Sequence, residues 1–154
     1  MSWILPKIID NTYTAPKWTL GIFGAVTAIT LWRSIHHIVA PDGGAQSIAT
    51  IPLDQFSSDG SAAVIGMFAL WGLSQLLVGL VFLVVLIRYR RLIPLMWVLV
   101  LMEYSMRIVI GQFKPIPTVG TAPGAMGNVP FVILAVIMLL IGYRSFAQSK
   151  KTTL

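Results

Sequence analysis

The sequence predicts an all-α integral membrane protein: a four-transmembrane-helix bundle with both termini cytoplasmic. Three observations carry this prediction. Only 10% of the 154 residues are charged and 56% are hydrophobic, whereas a soluble domain carries about 25% charged residues. Residues 60–87 and 115–143 contain no Asp, Glu, Lys, Arg or His, and a helix needs roughly 20 apolar residues to cross a bilayer. The basic residues gather in the tails and in one short turn, where topogenic charge belongs.

The chain divides into spans at about 18–40, 62–87, 92–112 and 129–146, joined by outer loops 41–61 and 113–128, so that 1–154 forms a single membrane domain. Pro16 precedes the first span, and Pro41, Asp42, Gly43 and Gly44 stop it. Ser57, Ser58 and Asp59 offer capping oxygens to the second. Pro94 falls in the first turn of the third, where a missing N–H costs little. Asn128 is placed to cap the fourth, with Pro130 in its first turn. Residues 1–9 read as an interfacial segment, because no small-residue cleavage site follows a short apolar core.

Charge sets the orientation. Arg88, Arg90 and Arg91 occupy the turn between spans two and three; Arg144, Lys150 and Lys151 follow span four; Lys7 and Lys17 oppose Asp10 in the N-terminal tail. Asp42, Asp54 and Asp59 lie on the other side, with Lys114. The positive-inside rule then puts both termini and the arginine turn in the cytoplasm. In a bacterial inner membrane the two longer loops are periplasmic.

Some functions are excluded. With no cysteine there is no disulfide, thiol nucleophile, thiolate metal site or cysteine-linked haem. The net charge of +6 flanks apolar spans rather than covering a soluble domain, which argues against nucleic acid as a partner.

The informative residues are those a span should not contain: Arg33, His36 and His37 in the first, Gln75 and Ser74 in the second, Glu103 and Arg107 in the third. An ionisable group in hydrocarbon costs ~2.5–3.5 kcal/mol on insertion scales and so faces the bundle interior or a wet cavity. Glu103 and Gln75 fall near mid-span, while Arg107 lies about 6 Å further outward than Glu103 on the same helix face. Arg33 matches Arg107 in height, and the two histidines lie one turn further out. Together they predict a polar column rising from Glu103 to the outer mouth.

Glu103 and Arg107 read as an intrahelical ion pair. Arg33 is then left over. Either Glu103 bridges both arginines, or Arg33 binds an anion, or it snorkels outward. Adjacent histidines suggest a metal, but they point about 100° apart on a helix, and a third ligand would have to come from Asp42, Asp54 or Glu103. The preferred reading is a histidine pair bonded to loop carbonyls, with no metal. Trp3, Trp18, Tyr89, Trp97 and Tyr143 read as an interfacial belt, and Trp32, Trp71 and Tyr104 as walls of the column. Two small-residue stripes, Gly21, Gly24, Ala25 and Ala28 on span one and Gly72 and Gly79 on span two, permit close contact within the bundle or between protomers. The loop at 111–128, with three prolines and glycines at 120, 124 and 127, reads either as an ordered lid over Arg107 and His37 or as a plain surface loop.

Spans two and three carry Gly60, Ser61 and Ala62, the Gly72 and Gly79 stripe, the basic turn 88–91, and Glu103, Arg107 and Gly111 at four-residue spacing before Lys114 and Pro115. This third of the chain resembles the DoxX-like group of small four-helix membrane proteins. Some members of the wider group are similar to quinone-linked oxidoreductase subunits. The resemblance implies only a polar pair, Glu103 and Arg107, in the third span.

The reading that results is an outward-facing intramembrane pocket for an amphipathic ligand such as a lipid or quinone, lined by Arg33, His36, His37, Gln75, Glu103 and Arg107. If the pocket is catalytic, His37 or Glu103 is the proton-transfer group. No cofactor follows from the residues. The alternative is an accessory or assembly subunit of a larger membrane complex, or a homo-oligomer, with a structural polar cluster. A channel is disfavoured, because the cytoplasmic halves of the spans offer no polar continuation.

Overall fold

A computed structural model describes residues 3–152. The chain ends themselves, including the first two residues of the interfacial segment 1–9, lie outside the described residues. Four α-helices follow one another: α1 (Trp18–Val39), α2 (Ser58–Arg88), α3 (Ile93–Phe113) and α4 (Pro123–Thr152). Short 3-10 turns occupy Leu53–Gln55 and Arg90–Leu92, and no strand occurs among the described residues. All four helices are long and apolar enough to cross a membrane. The chain is a multi-pass helical membrane protein.

Helix ends differ from expectation at α2 and α4. Ser57 caps α2 by accepting the Gly60 N–H across 3.2 Å, which starts the helix ahead of residue 62. α4 begins at Pro123, not near 129, so the loop expected at 113–128 shrinks to 114–122. Pro123, as first residue, sacrifices no helical bond. Asn128 is therefore no cap, and Pro130 lies inside the helix rather than in its first turn. α4 also runs on through Lys150 and Lys151, since nothing after Gly142 breaks it.

The bundle is two hairpins. α1 packs closely on α2 and α3 on α4, while the hairpins meet mainly through side chains. Lipid removes the hydrophobic drive between helices, so close packing and interhelical hydrogen bonds hold them. Gly72 and Gly79 make the first hairpin possible. A Cβ on Gly72 would stand 2.8 Å from the His37 Cβ and 3.0 Å from the Ser34 carbonyl oxygen; one on Gly79 would stand 2.8 Å from Leu31. The stripe on α1 does not share this role, for Gly21 has no such neighbour within 4 Å and Ala25 and Ala28 are exposed. Thr27, Thr30 and Ser34 bury their hydroxyls by donating to carbonyls four residues back, at 2.8, 2.9 and 2.6 Å.

Between the hairpins the arginine-turn half is packed with apolar side chains. Phe23 meets Phe82 at 5.5 Å and Trp97 at 5.7 Å between ring centroids. Trp97 is only 2% exposed, so it belongs to this core and not to an interfacial belt. The N-terminal segment folds across the same end. Asp10 pairs with Arg91 at 3.3 Å, and Trp3 lies edge-on to Tyr143 and covers Gly142.

At the opposite end the first loop forms a cap. Asp42 accepts the N–H groups of Gly44, Gln46 and Ser47, and Gly43 and Gly44 turn with φ of 60° and 76°. The chain then buries Ala45, Ile51 and Leu53 against Val64, Ile65 and Phe68 of α2.

Candidate functional site

Three of the polar residues predicted for the spans, Arg33, His37 and Arg107, converge on Trp71 of α2. The guanidinium carbons of Arg33 and Arg107 lie 5.6 and 5.0 Å from its ring centroid, and the His37 ring lies at 4.8 Å. Two cations share one indole, each within cation–π range. Arg33 and Arg107 thus stand at one height, as their depths along α1 and α3 require.

Pairing within the cluster is unequal. Arg107 donates to the Glu103 carboxylate one turn back along α3 and also lies over the Tyr104 ring. Arg33 finds neutral partners: the Gln75 amide oxygen at 3.0 Å and the Tyr104 hydroxyl at 3.4 Å. Its Nε is buried without a hydrogen bond. With one carboxylate and two guanidiniums, the cluster keeps one positive charge and an unused donor. Tyr104 stacks on Phe131 at 4.4 Å, which ties the site to α4.

His37 is 3% exposed, and its Nδ1 lies 2.7 Å from the Gly43 carbonyl. A carbonyl only accepts, so Nδ1 carries a proton, and the tautomer that keeps this bond in the neutral ring has its lone pair on Nε2. This is the loop-carbonyl bond expected for the pair, made by one member. His36 stands apart. Its ring is 6.4 Å from that of His37 and 5.9 Å from Trp32, and its Nε2 is buried and unpartnered. Among the described residues no three His, Asp or Glu side chains come together as a metal site. Asp42 is engaged with backbone: burial alone would raise its carboxyl pKa, but the N–H groups of Ser47, Gly44 and Gln46 and the Ser47 hydroxyl lower it to about 2.

Two expectations about the walls need correction. Trp32 is 65% exposed on the outside of α1 and does not wall the column. The second loop is no lid over His37, because residues 111–121 are exposed and the first loop supplies the covering glycines. The second loop is instead clipped to the first at Thr50: Val119 N–H donates to the Thr50 carbonyl, and the Thr50 hydroxyl donates to the Gly120 carbonyl, both at 2.9 Å.

A comparison with protein-family models, characterised proteins and solved structures finds no match for this chain.

Sequence reasoning underweighted two residues. Trp71 is the hub of the cluster, and the signal for it was its place one turn before Gln75. Gly43 is the acceptor for His37, and only its position in the Pro-Asp-Gly-Gly stop hinted at a tight return over α1.

Proposed function

We propose that the cluster around Trp71 binds an amphipathic ligand with an anionic or carbonyl-bearing head, such as a lipid or quinone. One observation carries the reading: Arg33 has no carboxylate of its own and keeps a buried Nε without a partner. An unpaired cation in a membrane interior is costly, and a ligand oxygen would satisfy both its charge and its donor. Gln75, Tyr104 and Trp71 orient the guanidinium, Glu103 holds Arg107, and His36 and His37 line the approach from the loop end. If the bound molecule reacts, the lone pair on His37 Nε2 or the Glu103 carboxylate accepts the proton. The distribution of basic residues supports a cytoplasmic arginine turn and cytoplasmic termini. The site then opens outward, toward the periplasm if the membrane is a bacterial inner membrane.

The test is extraction and mass spectrometry of compounds that copurify in mild detergent. Wild-type protein should retain about one such amphiphile per chain, and folded Arg33→Gln should lose it. Retention equal in both contradicts the proposal.

The second reading, an accessory or assembly subunit, draws on the open faces of α1 and α4. Gly21 and Trp32 on α1, and Ile133, Ile137 and Leu140 on α4, are exposed. A stoichiometric partner protein in that purification, with no bound amphiphile, would favour it.

A further inference from the structure

A cavity lies at the arginine-turn end, far from Trp71. It encloses about 260 Å³ between the N-terminal segment, the turn before α3 and the end of α4. At ~30 Å³ per water-sized unit that holds about nine such units, enough for a phosphate head and the start of its chain. Its composition is split. Ile93, Trp97 and Met138 supply a buried apolar floor, while Tyr13, Thr14 and Arg90 stand at the polar side.

The charges are also uneven. Asp10 is taken by Arg91. Arg90 donates its Nε to the Leu86 carbonyl at 2.9 Å, which fixes the guanidinium and leaves both Nη groups for an acceptor. Among the described residues no Asp or Glu lines the cavity. Tyr13 donates to Thr19, whose own hydroxyl proton goes to the Pro16 carbonyl at 2.6 Å, so the phenol oxygen is held in place against α1. A fixed guanidinium above an apolar floor at a span end suits an anion that carries a hydrocarbon tail.

From this we infer that the cavity is a binding site for a phosphate-headed amphiphile of net negative charge, with Arg90 gripping the phosphate and Trp97 and Met138 receiving the tail. The N-terminal segment is its wall, latched by the Asp10–Arg91 pair and by Trp3 seated on Gly142. This site is separate from the Trp71 cluster and does not depend on it.

Calorimetric titration of the full chain in detergent tests this with three probes. Dihexanoyl phosphatidate carries head and tail, dihexanoyl phosphatidylcholine carries the same tails with no net charge, and inorganic phosphate carries the head alone. Phosphatidate should bind about one per chain, about tenfold more tightly than either of the others. Arg90→Gln should weaken it about tenfold, with a smaller dependence on salt. Ala15→Phe, which fills the cavity without touching a charge, should weaken it as well. Circular dichroism and melting identify variants that remain folded. Equal binding of phosphatidate and phosphatidylcholine would overturn the inference. So would phosphatidate binding that survives both substitutions. Inorganic phosphate binding as tightly as phosphatidate would make this an anion site only and overturn the role of the floor.

Discussion

Arg33 donates to the amide oxygen of Gln75 across 3.0 Å, while the one carboxylate nearby, Glu103, is taken by Arg107. A cation in the middle of a bundle has thus been given a dipole for a partner. The arrangement positions Arg33 without neutralising it, unlike the Glu103–Arg107 ion pair.

Stability should therefore respond in opposite ways to the two members of the cluster. Glu103→Gln leaves two guanidiniums with no counter-charge and should cost about 2–3 kcal/mol, below the ~3–5 kcal/mol of a fully buried pair because both side chains keep some exposure. Arg33→Gln removes the surplus charge and should cost less than about 1 kcal/mol, or stabilise. Thermal melts in one detergent decide this; equal losses would mean that Glu103 serves both arginines.

Gly72 is the tightest point of the first hairpin. Gly72→Ala sets a methyl group against His37 and the Ser34 carbonyl and should destabilise by about 1–3 kcal/mol. Gly66→Ala, with no such neighbour within 4 Å, should be neutral or stabilise by up to about 1 kcal/mol through helix propensity. Paired melting curves would show the contrast, and a neutral Gly72→Ala would refute the close approach of α1 and α2.

His37 fastens the first loop through Gly43. His37→Phe keeps the ring but deletes the donor, leaving the carbonyl unsatisfied at about 1–3 kcal/mol. Amides of residues 43–51 should then exchange hydrogen faster, while those in the middle of α2 do not. Unchanged exchange would show that the loop stands without His37.

Asp42 makes the same loop sensitive to acid. Its carboxyl is depressed from 3.8 to about 2 in the folded protein, so its contribution is full above pH 4 and is lost as pH falls through 2. The group is partly exposed, so screening reduces this to the order of 1 kcal/mol. Asp42→Asn should flatten that part of the pH profile of loop exchange; an identical acid response in the variant would remove Asp42 as its cause.

Much of this was legible in the sequence because membranes impose few and strict rules. Uncharged runs gave the spans, and the i, i+4 spacing of Glu103 and Arg107 gave their pair. What escaped were relations set by packing between elements. Asn128 and Pro130 resemble a helix start, but Pro123 is an equally good first residue and the helix begins there. Trp97 resembles a belt residue from its distance to the arginine turn, yet Phe23 draws it into the core. The cavity beneath Arg90 draws its walls from both ends of the chain and one turn between them, which no local pattern records.

In the proposed function Arg33 receives a ligand oxygen. An experimental density map of the purified protein in lipid nanodiscs tests it most directly. Elongated non-protein density should end within about 3 Å of the Arg33 guanidinium. A map that resolves lipids elsewhere on the bundle, yet shows only packed side chains around Arg33, would contradict it.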